Sequence, residues 1–256
     1  MPTLRVDAVD AFNDNYIWIL DDGTDAVVVD PGQAAPVVRY LEENQLRLAG
    51  LLLTHHHADH IGGVADLVGA RSVPVYGPDD PRMAAVNRPC GHGDVVRFER
   101  PSLRFEVIET PGHTTAHIAF YGHARVFCGD TLFSVGCGRM FEGTPAQMLQ
   151  SLDRLAALPA DTAVHCAHEY TRANCAFARA VDPNNQALID RCSEVDRLRR
   201  DQRRTVPSRL AEERACNPFL RTRDPDVIAA ARRHDASCDG TPESVFATLR
   251  TWKDSF

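Results

Sequence analysis

The chain has 256 residues, 44% hydrophobic and 25% charged, an ordinary composition for a globular protein with room for one large domain or two modest ones. A formal net charge of −7 counts against a protein whose main task is holding nucleic acid. No uncharged apolar run approaches the roughly 18 residues that a membrane span needs.

The start, Met1-Pro2-Thr3-Leu4-Arg5-Val6-Asp7, has no basic stretch followed by an apolar run, so no signal peptide is expected. The eight cysteines include no CxxC pair and read as reduced, mostly buried thiols of a cytoplasmic protein. Nearly all basic side chains are Arg; the one Lys is Lys253.

In chain order, residues 16–20 and 26–29 are short β-type runs separated by Asp21-Asp22-Gly23-Thr24, a hairpin signal. Further strands are expected at 51–53, 73–76, 95–98, 105–108, 118–121 and 125–128. Helices interleave at about 35–44, 59–68 and 145–158. The last has Thr144 as N-cap, Pro145 at its first position, and Met148, Leu149, Leu152 and Leu155 at helical spacing. After about His168 strand runs vanish. Helices are expected at 172–181, 184–203, 225–234 and 242–252, with Thr171, Asp182, Asp224 and Thr241 as caps. The pattern divides the chain into a sheet-rich domain, 1–168, and a smaller helical domain, 169–256.

The most informative stretch is Thr54-His55-His56-His57-Ala58-Asp59-His60, between a buried strand-like run and a helix. In an extended segment residues i and i+2 point the same way, so His55 and His57 converge while His56 has the opposite parity. Asp59 and His60 then turn toward a neighbouring point, so one loop can begin two adjacent metal sites. More ligand types follow strand-like runs at Thr110-Pro111-Gly112-His113-Thr114, Cys128-Gly129-Asp130-Thr131 and His165-Cys166-Ala167-His168-Glu169-Tyr170. Loops past strand ends gather at one sheet edge.

These motifs, THxHxDH, TPGHT, GDTLF and HEYT, resemble the metallo-β-lactamase superfamily and specifically its hydroxyacylglutathione hydrolase (glyoxalase II) branch. The resemblance extends through Asn13-Asp14-Asn15-Tyr16, Val29-Asp30-Pro31-Gly32, Gly136-Cys137-Gly138-Arg139, Phe141-Glu142-Gly143-Thr144, Asn217-Pro218-Phe219 and Arg250-Thr251-Trp252-Lys253, essentially the whole chain. It implies an α/β fold, an αββα sandwich followed by a helical domain. It implies two divalent metal ions: His55, His57 and His113 on one, Asp59, His60 and His168 on the other, and Asp130 bridging. Asp30 would hold the ligand loop from behind. His117, His123 and His165 match no ligand position. Imidazole and carboxylate donors without thiolate suit zinc, with iron or manganese as alternatives.

The implied reaction is hydrolysis of S-(2-hydroxyacyl)glutathione, such as S-lactoylglutathione, to glutathione and a 2-hydroxy acid, the second step of methylglyoxal detoxification. Two metals about 3.5–4 Å apart can share a water and lower its pKa toward neutrality. Asp59 and Asp130 would hold that metal-bridging hydroxide in place, and the net positive centre would stabilise the oxyanion. A thiol leaving group of pKa about 8.5 needs no strong general acid, and apart from the ligands the sequence offers no obvious one. On the last helix Val245, Leu249 and Trp252 form an apolar stripe, with Arg250 and Lys253 at its edge around Phe246. By resemblance Arg250 and Lys253 bind the glycine carboxylate of glutathione, with Tyr170 and Arg139 contributing. Arg139 stands where some relatives carry Lys, and Phe141 where some carry Tyr; the missing hydroxyl removes a contact worth roughly 0.5–1.5 kcal/mol. A monomer acting on a small glutathione thioester, with no nucleic-acid or membrane partner, is expected.

Other uses of such a motif set are a β-lactam hydrolase, a one-iron persulfide dioxygenase, a nucleic-acid phosphodiesterase and a non-catalytic metal-binding module. The first would not be expected to carry Asp130 or a helical domain ending in Arg250 and Lys253. The second would need fewer ligands. The third sits poorly with the acidic balance, and a closed structural zinc site would rather use Cys.

Overall fold

The computed structural model describes residues 4–69 and 72–256; the reading of the N-terminus as lacking a signal peptide bears in part on Met1–Thr3, which lie outside them. By compactness the chain divides into one unit of Met1–Glu109 with Ala116–Gly129 and a second of Thr110–Thr115 with Asp130–Phe256.

The first unit opens with β1 (Arg5–Ala11), β2 (Asn15–Asp21) and β3 (Asp25–Val29), paired antiparallel in succession. Helix α1 (Ala34–Glu43) leads to β4 (Arg47–Leu52), which runs parallel to β3. Two short helices, α2 (Ala58–Ile61) and α3 (Val64–Val68), precede β5 (Val75–Gly77) and β6 (Arg88–Pro89), both parallel additions to the same sheet. A second, antiparallel sheet holds β7 (Val95–Phe98), β8 (Leu103–Glu109), β9 (Ile118–Gly122) and β10 (Arg125–Gly129), each paired with the next.

Side-chain alternation decides how these layers stack. Ile17, Ile19, Val28, Leu51 and Leu53 pack with Val37 and Leu41 of α1 and with Val64 and Leu67 of α3. The opposite parity faces the second sheet, where Trp18 meets Phe127 with ring centroids 6.5 Å apart. Central strands β2 and β3 are therefore buried on both faces and read as continuous apolar runs, easily recognised. Strand β1 was not expected. Its exposed and half-buried Arg5, Val6, Asp7, Val9 and Asp10 alternate with little apolar signal.

The helix expected over 59–68 is broken. Gly62 and Gly63 interrupt it because the chain there runs against another backbone segment. The Gly63 amide donates to Pro31 O at 2.9 Å, and a Cβ at Gly63 would lie 2.4 Å from the Ala34 nitrogen.

The second unit contains the hairpin β11 (Leu132–Phe133) and β12 (Gly136–Cys137), then α4 (Pro145–Ala156) and β13 (Ala163–Cys166). Helices α5 (Thr171–Val181) and α6 (Gln186–Arg200) follow. Strand β14 (Ser208–Arg209) pairs antiparallel with β13, so strand structure does not end at His168 as the sequence implied. Helix α7 (Leu210–Cys216) and a 3-10 turn at Pro218–Leu220 were also not foreseen; α8 (Pro225–His234) and α9 (Pro242–Ser255) complete the unit.

Thr144, Asp224 and Thr241 cap their helices as expected, Thr144 in a full capping box with Gln147. Two caps differ. Asn185, not Asp182, caps α6; Asp182 accepts instead from Asn185 Nδ2 and pairs with Arg221. Thr171 lies inside α5 and bonds Thr205 Oγ1 at 2.6 Å.

Gly63→Ala should lower the unfolding free energy by about 1–3 kcal/mol, because the added methyl meets backbone that has no slack. Thr144→Ala should cost about 1 kcal/mol through the lost cap. Thermal melts of both variants beside the parent check the order; Gly63→Ala melting no lower than Thr144→Ala would contradict the close-packed break.

Candidate metal centre

In the first unit the ligand loop leaves the end of β4. His55 and His57, two apart, have ring centroids 4.7 Å apart, and His60 on α2 brings its ring within 4.0 Å of His55. The loop is held by Asp30, which follows β3 in a left-handed backbone conformation with φ 51°. Asp30 Oδ1 accepts from the Thr54 amide at 2.8 Å; its Oδ2 accepts from Thr54 Oγ1 at 2.7 Å and lies 3.0 Å from His60 Nδ1. A carboxylate only accepts, so Nδ1 of His60 carries the proton and the lone pair sits on Nε2, 3.5 Å from Asp59 Oδ2. Asn15 Nδ2 donates to the same Asp59 oxygen at 2.9 Å. His56 faces away, its Nδ1 3.7 Å from Asp80. His117 stacks on His55 with centroids 4.7 Å apart.

In the second unit three more sequence-selected residues meet. Asp130 Oδ2 lies 3.5 Å from His113 Nε2, and its Oδ1 lies 3.3 Å from His168 Nε2. The His113 Nδ1 donates to Arg139 O at 2.7 Å, which fixes the lone pair on Nε2. His168 is clasped by aromatic rings: Tyr170 stacks on it at 4.6 Å and 5°, and Phe133 meets it edge-on at 5.8 Å. His165 lies 3.2 Å from Ala163 O through Nδ1, and His123 of the first unit accepts from the Arg104 amide.

A cleft of about 370 Å³ runs through the second unit beside this triad. Its lining includes His113, Asp130, Arg139, Phe141, Tyr170, Arg250 and Lys253. All five residues expected to bind substrate therefore share walls with two expected ligands. Phe141 is 65% exposed, and its ring stands 5.3 Å from that of His113. Arg250 departs from the expectation of a helix edge. It is 3% exposed, donates to Cys137 O at 2.9 Å, and lies over the Phe219 ring. Lys253 stands 5.2 Å from the centre of the Phe177 ring. Burial, then Arg250, pulls its ammonium down to about 8. Burial pushes the Cys137 thiol up, so this cleft cysteine is not a ready nucleophile.

Four residues of this region escaped the sequence reading. Asn15 and Thr54 sit in quoted motifs but carry no ligand signature. Asn174 lines the cleft and donates to Ser134 O, with nothing local to mark it. Asp254 bonds Arg250, and its i+4 spacing was a usable signal.

A histidine- and aspartate-rich loop at the end of a central strand, on a face-to-face pair of sheets, defines a metal-binding hydrolase fold of the metallo-β-lactamase type. The model for "Metallo-beta-lactamase superfamily" matches residues 11–168, and that for "Hydroxyacylglutathione hydrolase C-terminus" matches 169–256. A hydroxyacylglutathione hydrolase of Cupriavidus taiwanensis is 50% identical over 99% of both chains, and one of Xanthomonas campestris pv. campestris is 51% identical over 99% of both. The crystal structure of ETHE1 from Myxococcus xanthus superposes with a TM-score of 0.65 at 26% identity, covering 99% of each chain. The chain belongs to the hydroxyacylglutathione hydrolase family.

The donor set fits divalent metal ions. It offers buried imidazoles whose outer nitrogens are pinned by Asp30 and by Arg139 O, and carboxylates beside them. Asp30→Ala should weaken metal retention about 10- to 100-fold in a chelator competition, since it frees both Thr54 and His60. His56→Ala should keep the parent's metal content. Equal retention by Asp30→Ala and the parent would show that the loop holds its shape unaided.

Proposed function

We propose that the His55–His60 loop and the His113, Asp130 and His168 triad hold two divalent ions, zinc in the first instance with iron or manganese as alternatives, and that the protein hydrolyses S-(2-hydroxyacyl)glutathione thioesters such as S-lactoylglutathione. The first ion would take His55, His57 and His113, the second Asp59, His60 and His168, with Asp130 serving both. Residues 1–168 would carry the chemistry and 169–256 most of the substrate anchor, in a cytoplasmic monomer. No helix among the described residues is long and apolar enough to cross a membrane. The observation that carries the reading is the cleft in which His113 and Asp130 adjoin Arg139, Phe141, Tyr170, Arg250 and Lys253.

When bound, the ions would activate a water molecule and polarise the thioester carbonyl. The chain's own residues do the rest. Arg250 and Lys253, which line the cleft with Asp130, anchor a carboxylate, and Arg139 adds a third positive charge. Phe133 and Tyr170 pack their rings against His168, and Phe141 stands beside His113, so apolar surface adjoins both imidazoles. Water supplies the oxygen of the new carboxylic acid, and the thiol departs. With a leaving thiol of pKa about 8.5 the chain needs no dedicated proton donor. The phenyl ring of Phe141 supplies apolar packing there and no hydroxyl.

Asp130→Ala should lose metal and turnover together; retention of both would remove Asp130 from the centre. Lys253→Ala should raise KM for S-lactoylglutathione on the order of 10-fold with kcat little changed, since the contact is equal in ground and transition states. A small thioester lacking carboxylates should be unaffected. Arg250→Ala should lower Tm as well, because Arg250 is buried against Cys137. The pH dependence follows from the Lys253 ammonium, which is charged below about 8 and neutral above. KM for the glutathione thioester should therefore be flat below that pH and rise above it. Assays of thioester, phosphodiester and β-lactam hydrolysis in parallel test the reaction class; preference for either of the last two would reject this reading.

A further inference from the structure

The cationic end of the cleft is organised by a carboxylate that belongs neither to the ligand set nor to the expected anchor. Asp254 lies on α9 four residues after Arg250, hence on the same helix face. Its Oδ1 accepts from Arg250 Nη2 at 2.9 Å and lies 3.3 Å from Arg139 Nε. One oxygen therefore joins a buried arginine of α9 to an arginine that follows β12. Both arginines line the cleft.

Three cations share this end of the cleft, and like charges in close quarters repel. Arg250 is fixed on its other side by Cys137 O. Arg139 has no such packing: its side chain is 62% exposed, and a long exposed side chain must be ordered before it can hold a ligand. The Asp254 carboxylate removes part of the repulsion and orders Arg139 in advance.

We propose that Asp254 is a positioning residue for substrate recognition, holding Arg139 and Arg250 so that they meet the substrate's carboxylate already oriented. The inference rests on the cleft being the glutathione thioester site. Asp254 acts through the arginines and lowers the ordering cost of binding without taking part in bond cleavage.

Lys253 supplies an independent readout. The groups that face it are Arg250 and Asp254 on α9, Cys137 on β12 and Arg139 just after it, with the Phe177 ring from α5 alongside. Among these groups Asp254 favours the ammonium, while Arg250 and Arg139 oppose it. Neutralising Asp254 should therefore move the alkaline rise in KM to lower pH.

The test uses the full-length, metal-loaded protein and Asp254→Asn, which keeps size and removes charge. Substrates are S-lactoylglutathione and an uncharged small thioester. The pair is partly exposed, so a KM rise of about 3- to 10-fold is expected for the glutathione thioester. Turnover at saturation should stay within about twofold and Tm within ~2 °C. The small thioester should be unaffected, and the alkaline rise in KM should begin at lower pH. Asp254→Glu should recover part of the loss. Unchanged or lower KM for the glutathione thioester overturns the proposal, and so does an equal loss on both substrates with a lower Tm, which would mark a folding role for the helix end. If the wild-type protein hydrolyses the small thioester but not S-lactoylglutathione, the glutathione reading falls and this inference with it. Wild-type turnover of both with no change in Asp254→Asn sinks the inference alone.

Discussion

The chemistry of the first unit depends on one carboxylate. Asp30 receives the Thr54 amide and hydroxyl and fixes the His60 ring through Nδ1. Both groups lie in the loop that leaves β4, so a single side chain sets where the extended His55–His57 segment begins and how the following helix presents its imidazole. The left-handed backbone at Asp30 is a cost for a non-glycine residue. Three bonds from one buried carboxylate offset it. The glycine break between α2 and α3 has the same purpose. Gly63 bonds Pro31 O, so the loop and the segment after Asp30 are tied at two places.

The second unit uses a different device. Asp130 and Arg139 stand at opposite ends of the β11–β12 hairpin, too short to hold its own shape. Buried polar groups from the helices hold it instead. Glu213 accepts from the Val135 amide at 2.7 Å, Asn217 donates to Gly136 O at 2.9 Å, and Asn174 and Arg191 bond Ser134. Burial raises the Glu213 carboxyl above its ordinary range. Such a network is favourable only when its members find partners, and here it fixes a backbone turn in which Val135 has φ 59°. The helical part of the chain therefore does more than carry Arg250 and Lys253. It sets the path of the segment between Asp130 and Arg139, both of which line the cleft.

Electrostatics then divides the cleft. Among its lining residues the His113 imidazole and the Asp130 carboxylate offer donors for a cation. Arg139, Arg250 and Lys253 collect positive charge, tempered by Asp254. A substrate with an anion at one end and a polarisable carbonyl at the other suits that division. The acidic character of the whole chain, −7, says nothing about this, because the selectivity is local.

By itself the sequence determined the candidate ligand types and their order, the parity that separates His56 from His55 and His57, the doubly buried strands, and three helix caps. Each is a matter of local spacing, and local spacing is what the period of a strand or helix records. Tertiary structure decided the rest. Strand β1 is held by its pairing with β2 despite a weak apolar pattern. The helix expected over 59–68 breaks where Gly63 meets Pro31. Arg250, which spacing places at a helix edge, is buried because Cys137, 113 residues away in sequence, supplies its acceptor. Glu213 reaches Val135 across 78 residues. A partner at such separations leaves no trace in local periodicity, so the candidate ligands were legible while the framework that orients their side chains was not.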